Sequence, residues 1–129
     1  MTIKEMTAKT GVPSATLRYY EGLGLIPKVP RNSAGIRDYT EDYVQWVAFV
    51  QELKKSGFSL EAIISYIELA KKGKGTKQER KKIILQTKQT LLQKIRTLQH
   101  LVRQADFALN NYEVVVLPRT EELISKWSA

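Results

Sequence analysis

The apolar positions at the start of the chain recur at helical spacing and predict two short helices joined by a tight turn. Thr2 and Glu5 have the spacing of a capping box, so we expect the first helix to begin directly after Thr2. Gly11 can adopt the left-handed conformation that ends a helix, and Pro13 prevents the helix from continuing. Ser14 is the expected N-cap of the second helix.

The second helix is predicted to have two different faces. Leu17 and Tyr20 share one side, which can pack on the first helix, whereas Arg18 and Tyr19 point the other way and Thr16 lies on the flank. A second helix of this kind is typical of a helix-turn-helix, whose recognition helix enters a DNA major groove. An ordinary α-hairpin fits the same residues, so at this point both interpretations stay open.

A small basic hairpin is predicted next, and we call residues 26–39 the wing. Residues 32–35, Asn-Ser-Ala-Gly, are typical of a turn between two short β-capable arms. Pro27 and Pro30 restrict pairing of those arms to an edge. The basic side chains of the wing are Lys28, Arg31 and Arg37. They can lie along a sugar–phosphate backbone, or they can simply be solvated.

Two further amphipathic helices are predicted after the wing. Thr40 is the expected cap of the third helix, whose apolar face comprises Tyr43, Trp46, Val47, Val50 and Leu53. We expect Trp46 to lie in the core. Ser59 is expected to begin the fourth helix, with Leu60, Ile63, Ile64 and Ile67 on its apolar face. Lys54 and Lys55 lie at the corner between the two helices, where they can touch phosphate or only water.

A long helix is predicted over residues 76–111, because no glycine or proline interrupts them. Apolar residues alternate at three- and four-residue spacing over nearly four heptads, with one defect at Lys88. At ~1.5 Å per residue such a helix is about 50 Å long, too long to cover its apolar face with its own small domain. We therefore expect it to pair with a second copy in a coiled coil; the alternative is that it folds back on the N-terminal helices. The expected dimerisation residues, here called the seam, are Ile84, Leu91, Ile95, Leu98, Val102, Ala105 and Leu109.

The remaining tail is apolar. We expect residues 114–117 to be extended, Pro118 to end that segment, and residues 121–127 to form one or two helical turns. Leu123, Ile124 and Trp127 need cover, which a junction between the coil of one subunit and the N-terminal domain of the other can provide.

Composition narrows the classes of protein. With 129 residues the chain has room for one small domain and an extended element. The net charge of +8 agrees with a polyanionic partner. However, residues 1–75 hold 11 Lys and Arg against 8 Asp and Glu, and residues 76–129 hold 10 against 5. The charge is therefore not concentrated in the candidate DNA-binding part, and it supports nucleic-acid binding only weakly.

Other classes are disfavoured by what the sequence lacks. The chain has no cysteine, so it has no disulfide, thiolate metal site or thiol switch. It has no apolar run long enough to cross a membrane and no signal-peptide pattern, so we expect a cytoplasmic protein with no membrane partner. It also lacks paired carboxylates, a metal-ligand cluster and a Gly-rich phosphate loop, so we expect no enzyme, no catalytic or metal-binding residues and no cofactor.

Three segments in this order resemble the MerR family of bacterial transcription regulators: TLRYYEGLGLIP, RNSAGIRDYT and LKKSGFSLEAI. The resemblance implies a mainly α fold, a winged helix-turn-helix DNA-binding head followed by a long coiled-coil dimerisation helix and a short tail. The expected bounds are residues 1–70 for the head, 71–75 for a linker, 76–111 for the dimerisation helix and 112–129 for the tail.

The resemblance also implies which residues bind DNA. By motif position they are Ser14, Thr16, Arg18, Tyr19 and Tyr20 on the recognition helix, Arg31, Asn32, Gly35, Arg37 and Tyr39 on the first wing, and Lys54, Lys55 and Ser59 in the helix corner that acts as a second wing. For Tyr20 the two arguments disagree: its motif position implies a DNA contact, whereas the spacing argument above places its side chain inward.

The implied function is a homodimeric, sequence-specific transcriptional regulator. Such a protein binds a pseudo-palindromic operator in double-stranded promoter DNA, distorts it, and thereby controls transcription by RNA polymerase in response to a signal. The signal, and whether a small-molecule effector carries it, stay open, because the cysteines of metal- and thiol-sensing members are absent here. Two alternatives remain: a nonspecific architectural nucleic-acid-binding protein, and a coiled-coil interaction protein whose head is only structural.

Overall fold

A computed structural model of the chain describes residues 1–127, and in that range the regular structure is helical with no strand. The elements are α1 (Ile3–Thr10), α2 (Ser14–Leu23), α3 (Asp42–Lys55), α4 (Leu60–Lys72), α5 (Lys77–Asn110), a π-helix (Tyr112–Val116) and α6 (Leu117–Trp127). The chain divides into two compact units, Met1–Lys88 and a second that begins at Gln89. The predicted mainly α class, with a helix-turn-helix followed by a long helix, is confirmed.

The predicted turn between α1 and α2 forms with one change. The backbone N–H of Glu5 donates to Thr2 Oγ1 at 3.1 Å, and Glu5 Oε1 accepts from the N–H of Thr2 at 3.3 Å, which completes the capping box. Gly11 has a φ of 73°, as a left-handed helix end requires. The expected N-cap role of Ser14 is wrong, because Ser14 is already inside α2; its hydroxyl instead lies 3.1 Å from that of Thr7 and links the two helices.

The hydrophobic core lies within the first unit, among α1, α2, α3, α4 and the wing. Its buried apolar side chains come from every one of these elements: Met6, Val12, Leu17, Tyr20, Leu25, Ile26, Val29, Tyr39, Tyr43, Val47, Val50 and Ile63. Burying each of the large ones stabilises the fold by roughly 1.5–3 kcal/mol. The core therefore fixes the orientation of α2, whose other face is left for solvent or a partner.

The wing is less regular than the sequence predicted. Arg31 and Arg37 form a single antiparallel bridge, and no longer strand forms in the described residues. The N–H of Asn32 donates to the carbonyl of Ile36 at 2.8 Å, which closes the turn. Pro30 has no N–H to donate, so the pairing cannot extend through it as a regular ladder.

Helices α3 and α4 correct two expectations and confirm a third. The expected cap at Thr40 is wrong, since α3 begins two residues later and has no side-chain cap. Trp46 is also not in the core: it is 39% exposed and stacks edge-on against Tyr43, with ring centroids 4.9 Å apart. The buried line on α3 instead runs through Tyr43, Val47 and Val50, which leaves Trp46 at its edge. Ser59 caps α4 as expected, its Oγ accepting from the N–H of Ala62 at 3.1 Å.

The tail in the second unit is helical, so the expectation of an extended segment at residues 114–117 is wrong. A π-helix covers Tyr112–Val116, and α6 then runs from Leu117 to Trp127. Pro118 stands in the first turn of α6, where its missing N–H would have had no helical partner, so it begins a helix here and does not break one. None of the helices in residues 1–127 combines the length and apolarity needed to span a bilayer.

Candidate nucleic-acid interface

Helix α2 has the two faces that its sequence predicted. Leu17 and Tyr20 are buried in the core, whereas Arg18 and Tyr19 are exposed and Thr16 is half-buried between them. The hydroxyl of Tyr20 accepts a hydrogen bond from the side-chain amide of Gln51 on α3 at 2.6 Å. The exposed side of α2, formed by Thr16, Arg18 and Tyr19, is here called the reading face. The opposite side of the same helix is fixed by the core and by the hydrogen bond from Gln51.

A groove of about 300 Å³ brings the reading face together with the corner between α3 and α4. It is lined by residues of three helices and the corner: Thr16, Tyr19, Tyr20, Val50, Lys54, Phe58, Leu60 and Ile63. Lys54 therefore lines the same concave surface as Tyr19. Lys55 and Ser59 are exposed near it, and the hydroxyl of Ser59 is already used in capping α4.

Several wing residues predicted to bind DNA form contacts within the wing. Arg31 Nη1 donates to the carbonyl of Gly35 at 2.8 Å, so this guanidinium folds over its own turn. The side-chain oxygen of Asn32 accepts from the N–H of Ala34 at 2.9 Å and from that of Ile36 at 3.1 Å. Gly35 has a φ of 78°, a conformation that favours glycine. These three residues shape the turn, and any DNA contact by them stays a prediction.

Glu21 joins the end of α2 to both arms of the wing, a role that sequence reasoning did not find. Its Oε1 accepts from Arg37 Nε at 2.8 Å, and its Oε2 accepts from the N–H of Val29 at 3.2 Å. Burial alone would raise the pKa of Glu21, but these two hydrogen bonds and the charges of Arg37 and Arg31 hold the pKa below the ordinary 4.5. The signal in the sequence is that Glu21 is the single acid in α2, directly before a basic hairpin.

Two of the three tyrosines predicted to bind DNA are buried in the core. Tyr20 and Tyr39 are each 2% exposed. The ring of Tyr39 stacks edge-on against Tyr43 at 5.4 Å, its hydroxyl has no partner among the described residues, and burial raises its pKa. Both side chains belong to the buried core, and direct contact of either with DNA stays a prediction.

The surface as a whole presents hydrogen-bond donors of the kinds that bind nucleic acids. Arg18 offers a planar fork of N–H groups suited to a base edge or a phosphate. Lys54 and Lys55 offer ammonium groups, and neither has an acidic partner among residues 1–127. In the same range no cluster of His, Asp or Glu is arranged to hold a metal ion.

Comparison with known proteins identifies the family. A family model described as "MerR HTH family regulatory protein" matches residues 1–69, which is more than half of the chain. The chain belongs to the MerR family. A second model, described as "MerR, DNA binding", matches residues 44–106 of this MerR-family chain.

Individual relatives agree with that assignment. The HTH-type transcriptional regulator AdhR of Bacillus subtilis (strain 168) is 41% identical over 93 residues, which are 72% of this chain and 66% of AdhR. A crystal structure of a MerR-family transcriptional regulator from Listeria monocytogenes has a TM-score of 0.66 and 34% identity, and the match covers 97% of this chain and 95% of that one.

A third comparison is with HiNmlR, described as a MerR family regulator lacking the sensor domain, whose crystal structure was solved bound to promoter DNA. It has a TM-score of 0.62 and 29% identity, covering 88% of this chain and 86% of that one. Among the first curated relatives, the chain spans between about half and two thirds of the relative's length.

Proposed function

We propose that this MerR-family chain is a homodimeric, sequence-specific DNA-binding transcriptional regulator. The observation that carries the proposal is the two-sided α2, anchored in the core through Tyr20 while Arg18 and Tyr19 stand exposed. The similarity to AdhR, a transcriptional regulator, and to HiNmlR, which was crystallised on promoter DNA, supports it.

The reading face is proposed to enter the major groove. Arg18 contacts a base edge there, with Thr16 and Tyr19 beside it and Ser14 at the helix start near the backbone. The groove next to α2 leads to Lys54, which with Lys55 and Ser59 is proposed to hold the phosphate backbone on one flank. The wing is proposed to hold the backbone on the other flank through Arg31, Asn32, Gly35, Arg37 and Tyr39.

Dimerisation is proposed to run through the seam on α5. Helix α5 has no buried residue in the single chain, and Leu98, near the middle of the seam, is 61% exposed. A helix of 34 residues that leaves an apolar line in water needs a partner, and the heptad spacing fits a second copy of itself. Two copies present two reading faces, so they read the two half-sites of a pseudo-palindromic operator.

Regulation follows from that pairing. A dimer that holds its two heads at one separation binds best when the promoter is distorted to match, which changes how RNA polymerase can engage it. The domain bounds of 1–70, 71–75, 76–111 and 112–129 belong to this proposal, as does a cytoplasmic location alongside the DNA. The tail is the proposed place for any effector, whose chemistry stays open.

The test is a selection from random double-stranded DNA with the full chain. We expect enrichment of a pseudo-palindrome whose half-sites lie about 10 base pairs, or a multiple of that, apart. Footprinting on the selected duplex should protect both half-sites together. A nonspecific architectural protein would bind the pool without enriching any sequence, and a purely structural head would retain no DNA; either result overturns the proposal.

A further inference from the structure

The carboxylate of Glu21 is placed where it can fix the wing relative to the reading face. It lies in the last turn of α2, and it receives one hydrogen bond from each arm of the wing, from Val29 before the turn and from Arg37 after it. We propose that Glu21 is a positioning residue for DNA binding that sets the wing and the Arg37 guanidinium in their DNA-binding geometry. This inference rests on the proposed function.

The wing has little regular structure of its own, so contacts from other elements matter for its position. The two hydrogen bonds that Glu21 accepts from Val29 and Arg37 are here called the brace. Its arms share a single bridge, and Arg31 and Asn32 hold only the turn between them. Near its base, Tyr43 donates to the carbonyl of Lys28 at 2.8 Å. Among the described residues, Glu21 is the one side chain that forms hydrogen bonds with both arms. Its side chain is only 13% exposed, so water competes little for these hydrogen bonds.

The contact also leaves part of Arg37 available. Glu21 engages Nε, and the two terminal nitrogens of the guanidinium have no protein partner in the described residues. The Arg37 side chain remains 24% exposed. The brace therefore holds the guanidinium in one orientation while its outer edge can still donate to a phosphate.

The charge of Glu21 separates a positioning role from a general electrostatic effect, because the two predict opposite changes in DNA affinity. Glu21 brings a negative charge to an element that approaches polyanionic DNA, so removing that charge should strengthen the general attraction. If Glu21 positions the wing, removing its charge should instead weaken binding, because the wing and Arg37 lose their common anchor. The two effects predict opposite directions for the same substitution.

The experiment titrates the full chain against the duplex selected above, by fluorescence anisotropy at one fixed salt concentration. Glu21→Gln is expected to bind roughly tenfold more weakly than the unmodified protein. Glu61→Gln is the matched control, since it makes the same charge change at an exposed carboxylate with no partner in the described residues. The control is expected to bind equally or more tightly. Unchanged or tighter binding by Glu21→Gln would overturn the inference.

A double substitution separates positioning from a loss spread over independent contacts. Arg37→Ala should weaken DNA binding. Adding Glu21→Gln to Arg37→Ala should weaken it little further, because both substitutions remove the same contact between Glu21 and Arg37. Additive losses would show that Glu21 does not act through Arg37. Circular dichroism of each variant checks that the helices remain folded.

A measurement on the free protein keeps the inference testable without DNA. The backbone amide of Val29 should shift in a nitrogen–proton NMR spectrum as acid protonates Glu21, with a midpoint below 4.5. In Glu21→Gln that titration should vanish. If the chemical shift of the Val29 amide does not change between neutral pH and the acid range below 4.5, the brace itself is overturned. Failure of the selection from random DNA overturns only the proposed function.

Discussion

The phenol oxygen of Tyr20 accepts a hydrogen bond from Nε2 of Gln51 at 2.6 Å. Tyr20 belongs to α2 and Gln51 to α3, so a polar bond joins the helix with the reading face to the helix behind it. Apolar burial alone would let α2 roll slightly about its own axis, because it is not directional. A hydrogen bond has a preferred direction and so fixes the rotation of the reading face.

Tyr20→Phe is expected to lower the free energy of unfolding by about 0.5–1.5 kcal/mol, the usual contribution of one hydrogen bond. The ring stays buried, and Gln51 is only half-buried, so its amide can still reach water and the effect should not exceed this range. Urea denaturation measures it. Tyr19→Phe is the control, because Tyr19 is exposed and has no hydrogen bond in the described residues; equal losses in the two variants would contradict the role of the Tyr20 hydroxyl.

Two glycines of the first unit should respond to alanine in opposite directions. A Cβ on either Gly11 or Gly22 would meet nothing within 4 Å, so neither change causes a clash. Gly11 has a φ of 73°, and alanine there should cost about 1 kcal/mol of stability. Gly22 lies inside α2, where alanine should add roughly 0.5–1 kcal/mol. Thermal unfolding of both variants checks the signs, and a destabilised Gly22→Ala would show strain that the backbone does not reveal.

Local patterns predict most of the head because its decisive signals are short-range. The capping box of Thr2 and Glu5, the left-handed Gly11 and the cap at Ser59 each depend on residues a few positions apart. The apolar spacing of α2 likewise suffices to place Tyr20 inward, where it is buried. Such features survive folding because tertiary packing reinforces them.

Some expectations that prove wrong or incomplete concern residues whose local pattern fits more than one structure. Trp46 lies at the edge of the buried line of α3, and the periodicity of one helix cannot tell an edge from a centre. Glu21 meets Arg37 across sixteen positions, and no local pattern pairs them. Pro118 is compatible with the end of an extended segment, but the first turn of a helix tolerates proline equally well. In each case the sequence leaves two local outcomes open, and the surrounding chain selects one.

The pKa of Glu21 makes part of the stability depend on pH. Because its folded pKa lies below the ordinary 4.5, the stability it contributes is fully present above that value and is lost as the pH falls through the folded pKa. Glu21→Gln should therefore be less stable than the unmodified protein at neutral pH, and the gap should close in acid below 4.5. Urea denaturation at neutral and acidic pH measures the gap, and a gap that is the same at both would contradict the assignment of this pKa.

Arg18→Ala is expected to weaken binding to the selected duplex by about 1–3 kcal/mol and to relax the preference at one base pair of each half-site. The exposed guanidinium has no acidic partner in residues 1–127, so the loss should come from DNA contact and not from stability. Gel-shift titration at fixed salt measures it, with Lys4→Ala on the exposed side of α1 as the charge-matched control. An equal loss in both variants would reduce Arg18 to a general positive charge.

Leu98→Glu tests whether the seam joins two chains. Leu98 is 61% exposed in the single chain, so the substitution should leave the monomer fold nearly unchanged, while a buried unpaired carboxylate would be strongly unfavourable between two helices. Sedimentation equilibrium should show a dimer for the unmodified protein and a shift towards monomer for Leu98→Glu, with operator binding falling in parallel because one head reads only one half-site. Gln99→Glu adds the same charge one position off the seam and should remain dimeric. If Leu98→Glu and Gln99→Glu dimerise equally well, the pairing surface lies elsewhere on the chain.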